Sequence, residues 1–300
     1  MKRGLSTQFA GMELSNPLVA VSGTFGYGFD YEPLVPPETF GAVVVKGTSL
    51  EPWPGNPPPR IVETPAGMLN SIGLENPGVD VFLREYLPRL SERDTHVIVN
   101  VVGKTVEEYV EVSRRLRGVS GVDALELNIS CPNVRAGGMS FGTSAAAIEE
   151  LVGSVRDATD ATLIVKLTPN VTDLAEMVRA AEGAGADAIS LINTLLGMEI
   201  DVERGEPVLA NVVGGLSGPA IRPVALRCVY QARAATSLPI LGLGGVSSAR
   251  DVLAFIMAGA TAVGIGTAMF ADPLAPARIV DELRTYRAKF DEWPVGRAHK

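Results

Sequence analysis

The sequence predicts an α/β fold closed as a (β/α)8 TIM barrel, on three observations. Eight short apolar runs alternate with amphipathic stretches from end to end, the pattern of parallel strands joined by helical crossovers. The chain has 300 residues, and one such barrel commonly takes ~250. Hydrophobic residues make up 46% and aromatic residues only 6%, so the core is built of Val, Ile, Leu and Ala, as in α/β proteins rather than β-sandwiches. One domain over residues 1–300 is expected, with inserted loops over the C-terminal face of the barrel.

The first run, Pro17–Ser22, ends in Ser22-Gly23-Thr24, and the second, Ala42–Lys46, ends on a lysine. Glu51–Asp80 follows, dense in proline and glycine and including Pro57-Pro58-Pro59. The third run, Val97–Val102, is followed by the amphipathic Thr105–Leu116. The fourth, Ala124–Ser130, alternates along its length and stops in a polar cluster closed by Pro132. Ser144–Ala158 leads to the fifth run, Thr162–Leu167, and Asp173–Glu182 to the sixth, Ala188–Asn193. A second irregular stretch, Leu195–Ser217, holds several glycines around an acidic patch. Pro219–Ala235, Pro239–Gly242, Ser248–Ala258 and Ala262–Ile265 complete the series. Ala184-Gly185-Ala186-Asp187 and Ala258-Gly259-Ala260-Thr261 are matching helix exits, where glycine can take the left-handed conformation that ends a helix. The two irregular stretches follow barrel strands and read either as walls or lids of the catalytic face or as surface decoration.

The formal charge of −8 argues against nucleic-acid or anionic-membrane binding, while leaving room for a local basic pocket. Two cysteines, Cys131 and Cys228, cannot hold a four-thiolate zinc or iron–sulfur site. With two histidines far apart in sequence, no protein-held metal is expected. No signal-peptide core follows Lys2 and Arg3, and no window of ~18 apolar residues suggests a membrane span, so a cytoplasmic location is expected.

Function in a parallel barrel gathers where strands finish. Side chains alternate along a strand, so an inward Lys46 brings Val44 and Ala42 inward. An inward Asn100 brings Ile98, Asn128 brings Glu126, and Lys166 brings Ile164, while Leu125, Leu127 and Ile129 face the helices. Each polar residue then tops an inward column. Lys46 and Lys166 either snorkel to the rim or meet an anion; two at one mouth favour anionic ligands. Gly242-Leu243-Gly244-Gly245 and Gly264-Ile265-Gly266-Thr267 follow the last two strands, where barrels often hold phosphate on bare backbone amides. Neither is a dinucleotide fingerprint. Glu126, inward below Asn128, needs a partner, Lys166 or Lys46, because a buried unpaired carboxylate is costly. Cys131 is either a small buried hydrophobe or, beside Asn128 and Asn133 with no histidine partner, a thiol that takes a proton. Cys228 reads as helix core. Asn70, Asn100, Asn128, Asn133 and Asn193 either cap loops or present amides that complement a ring with imide edges.

Asn128-Ile129-Ser130-Cys131-Pro132-Asn133 and Asn70-Ser71-Ile72-Gly73-Leu74-Glu75-Asn76-Pro77-Gly78 carry a resemblance to the dihydroorotate dehydrogenases of family 1, over nearly the whole chain from Ser22 to Ala268. Lys46-Gly47-Thr48, Gly55-Asn56-Pro57 and Pro59-Arg60 resemble the NAD-linked subclass B more than the fumarate-linked subclass A. Cysteine at 131 sets the chain apart from the membrane-associated family, which uses serine there. Asn133 sets it apart from dihydropyrimidine dehydrogenases, which usually have histidine.

The resemblance implies one FMN per chain and oxidation of (S)-dihydroorotate to orotate in de novo pyrimidine biosynthesis, with Cys131 taking the C5 proton while the flavin accepts the C6 hydride. It implies substrate contacts from Lys46, Asn70, Ser71, Ile72, Gly73, Leu74, Asn128, Asn133, Asn193 and Thr194. Ser22, Lys46, Gly47, Asn100, Asn128, Lys166, Ile192 and Gly218 would line the flavin, and Gly244, Gly245, Gly266 and Thr267 its phosphate. Electrons would pass to NAD through a partner subunit carrying FAD and a 2Fe-2S cluster, on a homodimer core within a heterotetramer. The alternatives are a fumarate-linked enzyme or another FMN barrel that reduces pyrimidines; a phosphate-binding aldolase or isomerase barrel would share only the glycine sites. Glu51–Asp80 or Val134–Gly142 would serve as the lid.

Overall fold

The computed structural model describes residues 4–129, 141–289 and 292–299. Its centre is a closed barrel of β1 (Leu18–Ala20), β2 (Ala42–Val44), β3 (His96–Val101), β4 (Ala124–Asn128), β5 (Thr162–Lys166), β6 (Ala188–Leu191), β7 (Ile240–Leu243) and β8 (Ala262–Ile265). Every neighbouring pair is parallel and the order around the ring is the order in the chain, β8 closing on β1 with Gly264 opposite Val19. All eight expected strands are present. Several are shorter than expected at the C-terminal end: β1 stops before Ser22, β2 before Lys46 and β6 before Asn193, although single backbone bonds to neighbouring strands continue at Val21, Val45, Ile192 and Asn193.

The crossovers are α1 (Val106–Leu116), α2 (Ala145–Ala158), α3 (Leu174–Gly183), α4 (Arg222–Ala235) and α5 (Ala249–Ala258), with α6 (Ala275–Arg287) after β8. Side chains cap three of their starts: Thr105 accepts from the Glu108 amide, Asp173 from Glu176 and Ser248 from Asp251. The two glycine exits behave as expected. Gly185 has φ +99 and Gly259 φ +123, and a Cβ on Gly259 would meet the Arg233 side chain at 2.5 Å. Sequence reading missed α6, the helical run Val79–Leu90 that crosses from β2 to β3, and the N-terminal hairpin Thr7–Phe9 with Met12–Leu14. That run widens to a π-turn at Phe82–Tyr86, just before Pro88, whose ring nitrogen has no proton to donate to the preceding turn.

Packing divides into two cores. Outside the ring, Val43, Val99, Leu125, Leu127, Ile129, Val165 and Ile189 meet the helices. Inside it, Val19, Ala42, Val44, Ile98, Ala124, Ile164, Ala188, Leu241 and Ala262 form a second cluster with Phe9, Met12 and Leu14 of the hairpin. Those three hairpin side chains plug the N-terminal end, and Phe9 and Leu14 are wholly buried. The columns deduced from strand alternation are therefore present: small apolar residues fill the floor and polar ones stand above them.

The two irregular stretches are not plain loops. Leu195–Gly197, Gly214–Ser217, Gly67–Asn70 and Ile61–Thr64 form one four-stranded antiparallel sheet, with Gly215 opposite Asn70 and Leu216 opposite Leu69. The glycines that looked like loop signals are there because neighbours approach closely. A Cβ on Gly215 would lie 2.1 Å from Thr194 Oγ1, and one on Gly67 2.0 Å from the Ser217 carbonyl.

Candidate active site

Strand register brings the polar strand ends together. Asn100 on β3 pairs with Glu126 on β4, Asn128 on β4 with Lys166 on β5, and Lys166 with Ser190 on β6. All five side chains are buried. Lys166 Nζ lies 3.6 Å from Glu126 Oε1 and donates to Ser22 Oγ at 3.2 Å. Glu126 Oε1 also accepts from Asn100 Nδ2 at 2.6 Å. Asn100 Oδ1 accepts from Asn128 Nδ2 at 3.2 Å, and Asn128 Oδ1 from Asn193 Nδ2 at 3.5 Å. One continuous chain thus runs from Ser22, just past β1, through the barrel interior to the rim at Asn193. Of the two lysines open as partners of Glu126, Lys166 fills the role.

Lys46 follows β2 directly and is half-buried. Its backbone amide donates to the Gly26 carbonyl, while Gly47 packs so closely that a Cβ there would come within 3.4 Å of Asn100 Oδ1. The inserted sheet carries Asn70 to the same rim: its Nδ2 donates to the Gly215 carbonyl at 3.4 Å, and Gly215 in turn abuts Thr194. The turn beyond is held from both sides. Asn56 donates twice, from its side-chain Nδ2 to the Ser71 carbonyl and from its backbone N–H to the Ile72 carbonyl, and Asn76 Oδ1 accepts from Ser49 N, Ser49 Oγ and Gly78 N. Gly73 at φ +76 suits that turn, but Leu74 at φ +55 costs about 1–2 kcal/mol that surrounding contacts must offset. Ser71 and Ser190 hydroxyls are buried without a hydrogen-bond partner among the described residues. In a native fold such groups call for a ligand or water.

Farther round the ring, Ile192, Gly218, Gly244, Gly245, Gly266 and Thr267 converge. Gly218, Gly244 and Gly245 have φ of +93, +132 and +74, and a Cβ on any of them would meet an atom at 2.7 Å. The backbone N–H groups of Gly244, Gly245, Gly266 and Thr267 find no acceptor among the described residues. Bare amides on side-chain-free backbone suit a phosphate. Asp251 stiffens this corner. It pairs with Arg222 at 2.5 Å and accepts from Ser247 N, Ser247 Oγ and Ser248 Oγ. The residues present fit a flavin mononucleotide: bare glycine amides suited to a phosphate, and a buried cation, Lys166, in the barrel interior.

Cys131 and Asn133 lie outside the described residues, as does most of Val134–Gly142. The last described residue of that strand end is Ile129, and Tyr109 Oη holds the Asn128 carbonyl below it at 2.7 Å. Sequence reading missed Tyr109, which sits on an amphipathic helix and looks like core. It also missed Asn170, which bonds Thr168 and the Thr194 carbonyl and so fixes the β6 end; its position just past the fifth strand was the available signal.

Cys228 is buried on α4, and that burial pushes its thiol pKa up, with Arg227 opposing only in part. Native Cys131→Ala protein should therefore show no thiol reacting rapidly with a disulfide reagent at pH 7, and one after unfolding. A cleft of about 300 Å³ at the opposite end of the barrel, lined by Glu13, Arg93, His96 and Asp123 among others, holds no comparable constellation. His96 there has both ring nitrogens engaged, by Asp123 at 3.0 Å and the Glu13 carbonyl at 3.2 Å. No described helix is long and apolar enough to cross a membrane.

Comparison with known proteins agrees with this geometry. A family model described as "Dihydroorotate dehydrogenase" matches residues 4–286. The chain is 52% identical over 290 residues to the "Dihydroorotate dehydrogenase B (NAD(+)), catalytic subunit" of Alkaliphilus oremlandii, covering 97% of this chain and 96% of that one. It is 55% identical over 284 residues to the protein of the same name from Geobacter sp. strain M21, covering 95% and 93%. Among solved structures, that of DHODH from Eimeria tenella in complex with ferulenol superposes with a TM-score of 0.81 at 22% identity, over 99% of this chain and 89% of that one, a likeness of fold.

Proposed function

The chain belongs to the dihydroorotate dehydrogenase family, and from that premise we propose that it is the FMN-bearing catalytic subunit of an NAD-linked dihydroorotate dehydrogenase, working as one barrel domain in de novo pyrimidine biosynthesis. The observation that carries the reading is the buried chain from Asn193 to Lys166, which sets amides for a pyrimidine at the rim and a cation for a flavin below it. FMN held by these residues would supply a hydride acceptor for C6 of (S)-dihydroorotate.

The chain's own residues do the rest. Asn70 to Leu74, Asn128, Asn133, Asn193 and Thr194 hold the ring and its carboxylate, with Lys46 as a cation at the rim. Ser22, Gly47, Asn100, Lys166, Ile192 and Gly218 line the flavin. Gly244, Gly245, Gly266 and Thr267 take its phosphate. Lys166 would hold its ammonium beside the flavin, where it would stabilise negative charge. Cys131 removes the C5 proton, which the neighbouring carbonyl makes acidic.

The chain has no dinucleotide fingerprint and two cysteines, so NAD and an iron–sulfur centre must be held elsewhere. A partner subunit with FAD and a 2Fe-2S cluster, joined to a homodimer core in a heterotetramer, meets that need, and the relatives' name "catalytic subunit" supports it. A cytoplasmic enzyme fits this assembly. The fumarate-linked alternative is not favoured, since these relatives are named for NAD(+).

Anaerobic mixing of the yellow protein with dihydroorotate should bleach its flavin bands, and the isolated chain should reduce dyes well but NAD poorly. Absence of bleaching would overturn the assignment, efficient NAD reduction by the chain alone would remove the partner, and brisk turnover with fumarate would favour the other subclass.

A further inference from the structure

We propose that Glu126 is the positioning residue that sets the hydrogen-bond polarity of the whole mouth. It lies on the interior side of β4, 1% exposed, one layer below Asn128. A carboxylate oxygen can only accept. Asn100 must therefore turn its NH2 toward Glu126 Oε1, 2.6 Å away, and leave its Oδ1 facing up. Asn128 must then turn its own NH2 down onto that oxygen at 3.2 Å, so its Oδ1 faces Asn193 and the rim. Every amide in the column donates downward and accepts from above; Glu126 fixes the direction of Asn100 and Asn128 from the lower end, and the Thr194 backbone N–H holds Asn193 in the same sense at the upper end. At the top of the column Asn193 Oδ1 accepts from the Thr194 backbone N–H at 2.8 Å, so the rim amides are held in one orientation and offer a ligand one fixed hydrogen-bonding pattern.

The same Oε1 faces Lys166 Nζ at 3.6 Å. Glu126 therefore does two things at once: it orients the asparagine column and places the ammonium, which Ser22 Oγ meets from the other side at 3.2 Å. Glutamine is nearly the same size, but its amide can present either oxygen or NH2. In Glu126→Gln the column loses its enforced direction, and Lys166 loses its counter-charge.

This inference rests on the reading of the mouth as a flavin and pyrimidine site, and the test separates the two. Wild-type holoprotein and Glu126→Gln are compared by orotate titration of the flavin spectrum, by anaerobic potentiometry and by FMN content. Glu126→Gln should keep its FMN, bind orotate about tenfold or more weaker, and show a flavin midpoint potential shifted positive because a nearby negative charge is gone. A folded Glu126→Gln with wild-type orotate affinity and potential overturns the proposal, since a purely structural role predicts lower thermal stability alone. If wild type shows no flavin bands or no response to orotate, the underlying reading fails instead. Should Glu126→Gln not fold, wild-type protein labelled with 15N-asparagine decides. The Asn100 side-chain amide should be strongly downfield and protected from solvent exchange, and rapid exchange there overturns the proposal.

Discussion

Replacing Cys131 by alanine is expected to leave the protein yellow and to slow its reduction by dihydroorotate by about 10²- to 10⁴-fold near neutral pH, the usual contribution of a positioned general base. The glycine corner and Lys166 that suit the cofactor are untouched by the change, so FMN content and orotate binding should stay close to wild type. The pH dependence gives a second readout. Only the thiolate can take the proton, and a free thiol ionises near ~8.5. The wild-type rate should therefore climb as pH rises toward the thiol pKa and level off above it. Cys131→Ala should lack the rise. Stopped-flow reduction of the variant at the wild-type rate, or an unchanged pH profile, would sink the assignment of the base.

The strand system was legible because alternation is a hard constraint: once Lys46, Asn100, Asn128 and Lys166 are placed inward, Val44, Ile98, Glu126 and Ile164 must follow, and the inner cluster contains the apolar members of those columns. The glycine pairs were legible for a similar reason, since the backbone at Gly244 and Gly245 leaves no space for a side chain. The inserted sheet was not. Its strands are three or four residues long and glycine-rich, and they pair Met68, Leu69 and Asn70 with residues almost 150 positions later, so no local pattern announces them. Tyr109 and Asn170 escaped for another reason: their role lies in one hydrogen bond to a distant carbonyl. Glu126 was visible as a problem, a carboxylate inside a barrel, but only register, which sets Asn100 opposite it, and the reach of Lys166 from one layer above show that both answer it.

Lys166→Met is expected to destabilise the protein and disable its redox chemistry, and a second substitution separates the two losses. Glu126 and Lys166 are both buried, with side chains 1% and 6% exposed and their charged atoms 3.6 Å apart. Removing the ammonium strands a carboxylate whose remaining polar partner among the described residues is the Asn100 amide. Breaking such a buried pair from one side typically costs about 3–5 kcal/mol, a large share of the roughly 5–15 kcal/mol that holds a domain together. The double variant Lys166→Met/Glu126→Leu removes both charges and replaces them with apolar groups, which is often neutral. It should recover most of the stability that the single variant loses, a coupling that a double-mutant cycle in denaturant measures directly. Function should not recover with it. The cation we propose to meet charge on the flavin is absent from both variants, and loss of one such preorganised contact commonly costs about 10²- to 10³-fold in rate. The double variant should therefore unfold near the wild-type midpoint, yet bleach slowly with dihydroorotate or hold FMN weakly. If Lys166→Met alone is as stable as wild type, the pair carries no structural burden. If the stable double variant is reduced at the wild-type rate, Lys166 is not the group that meets the charge.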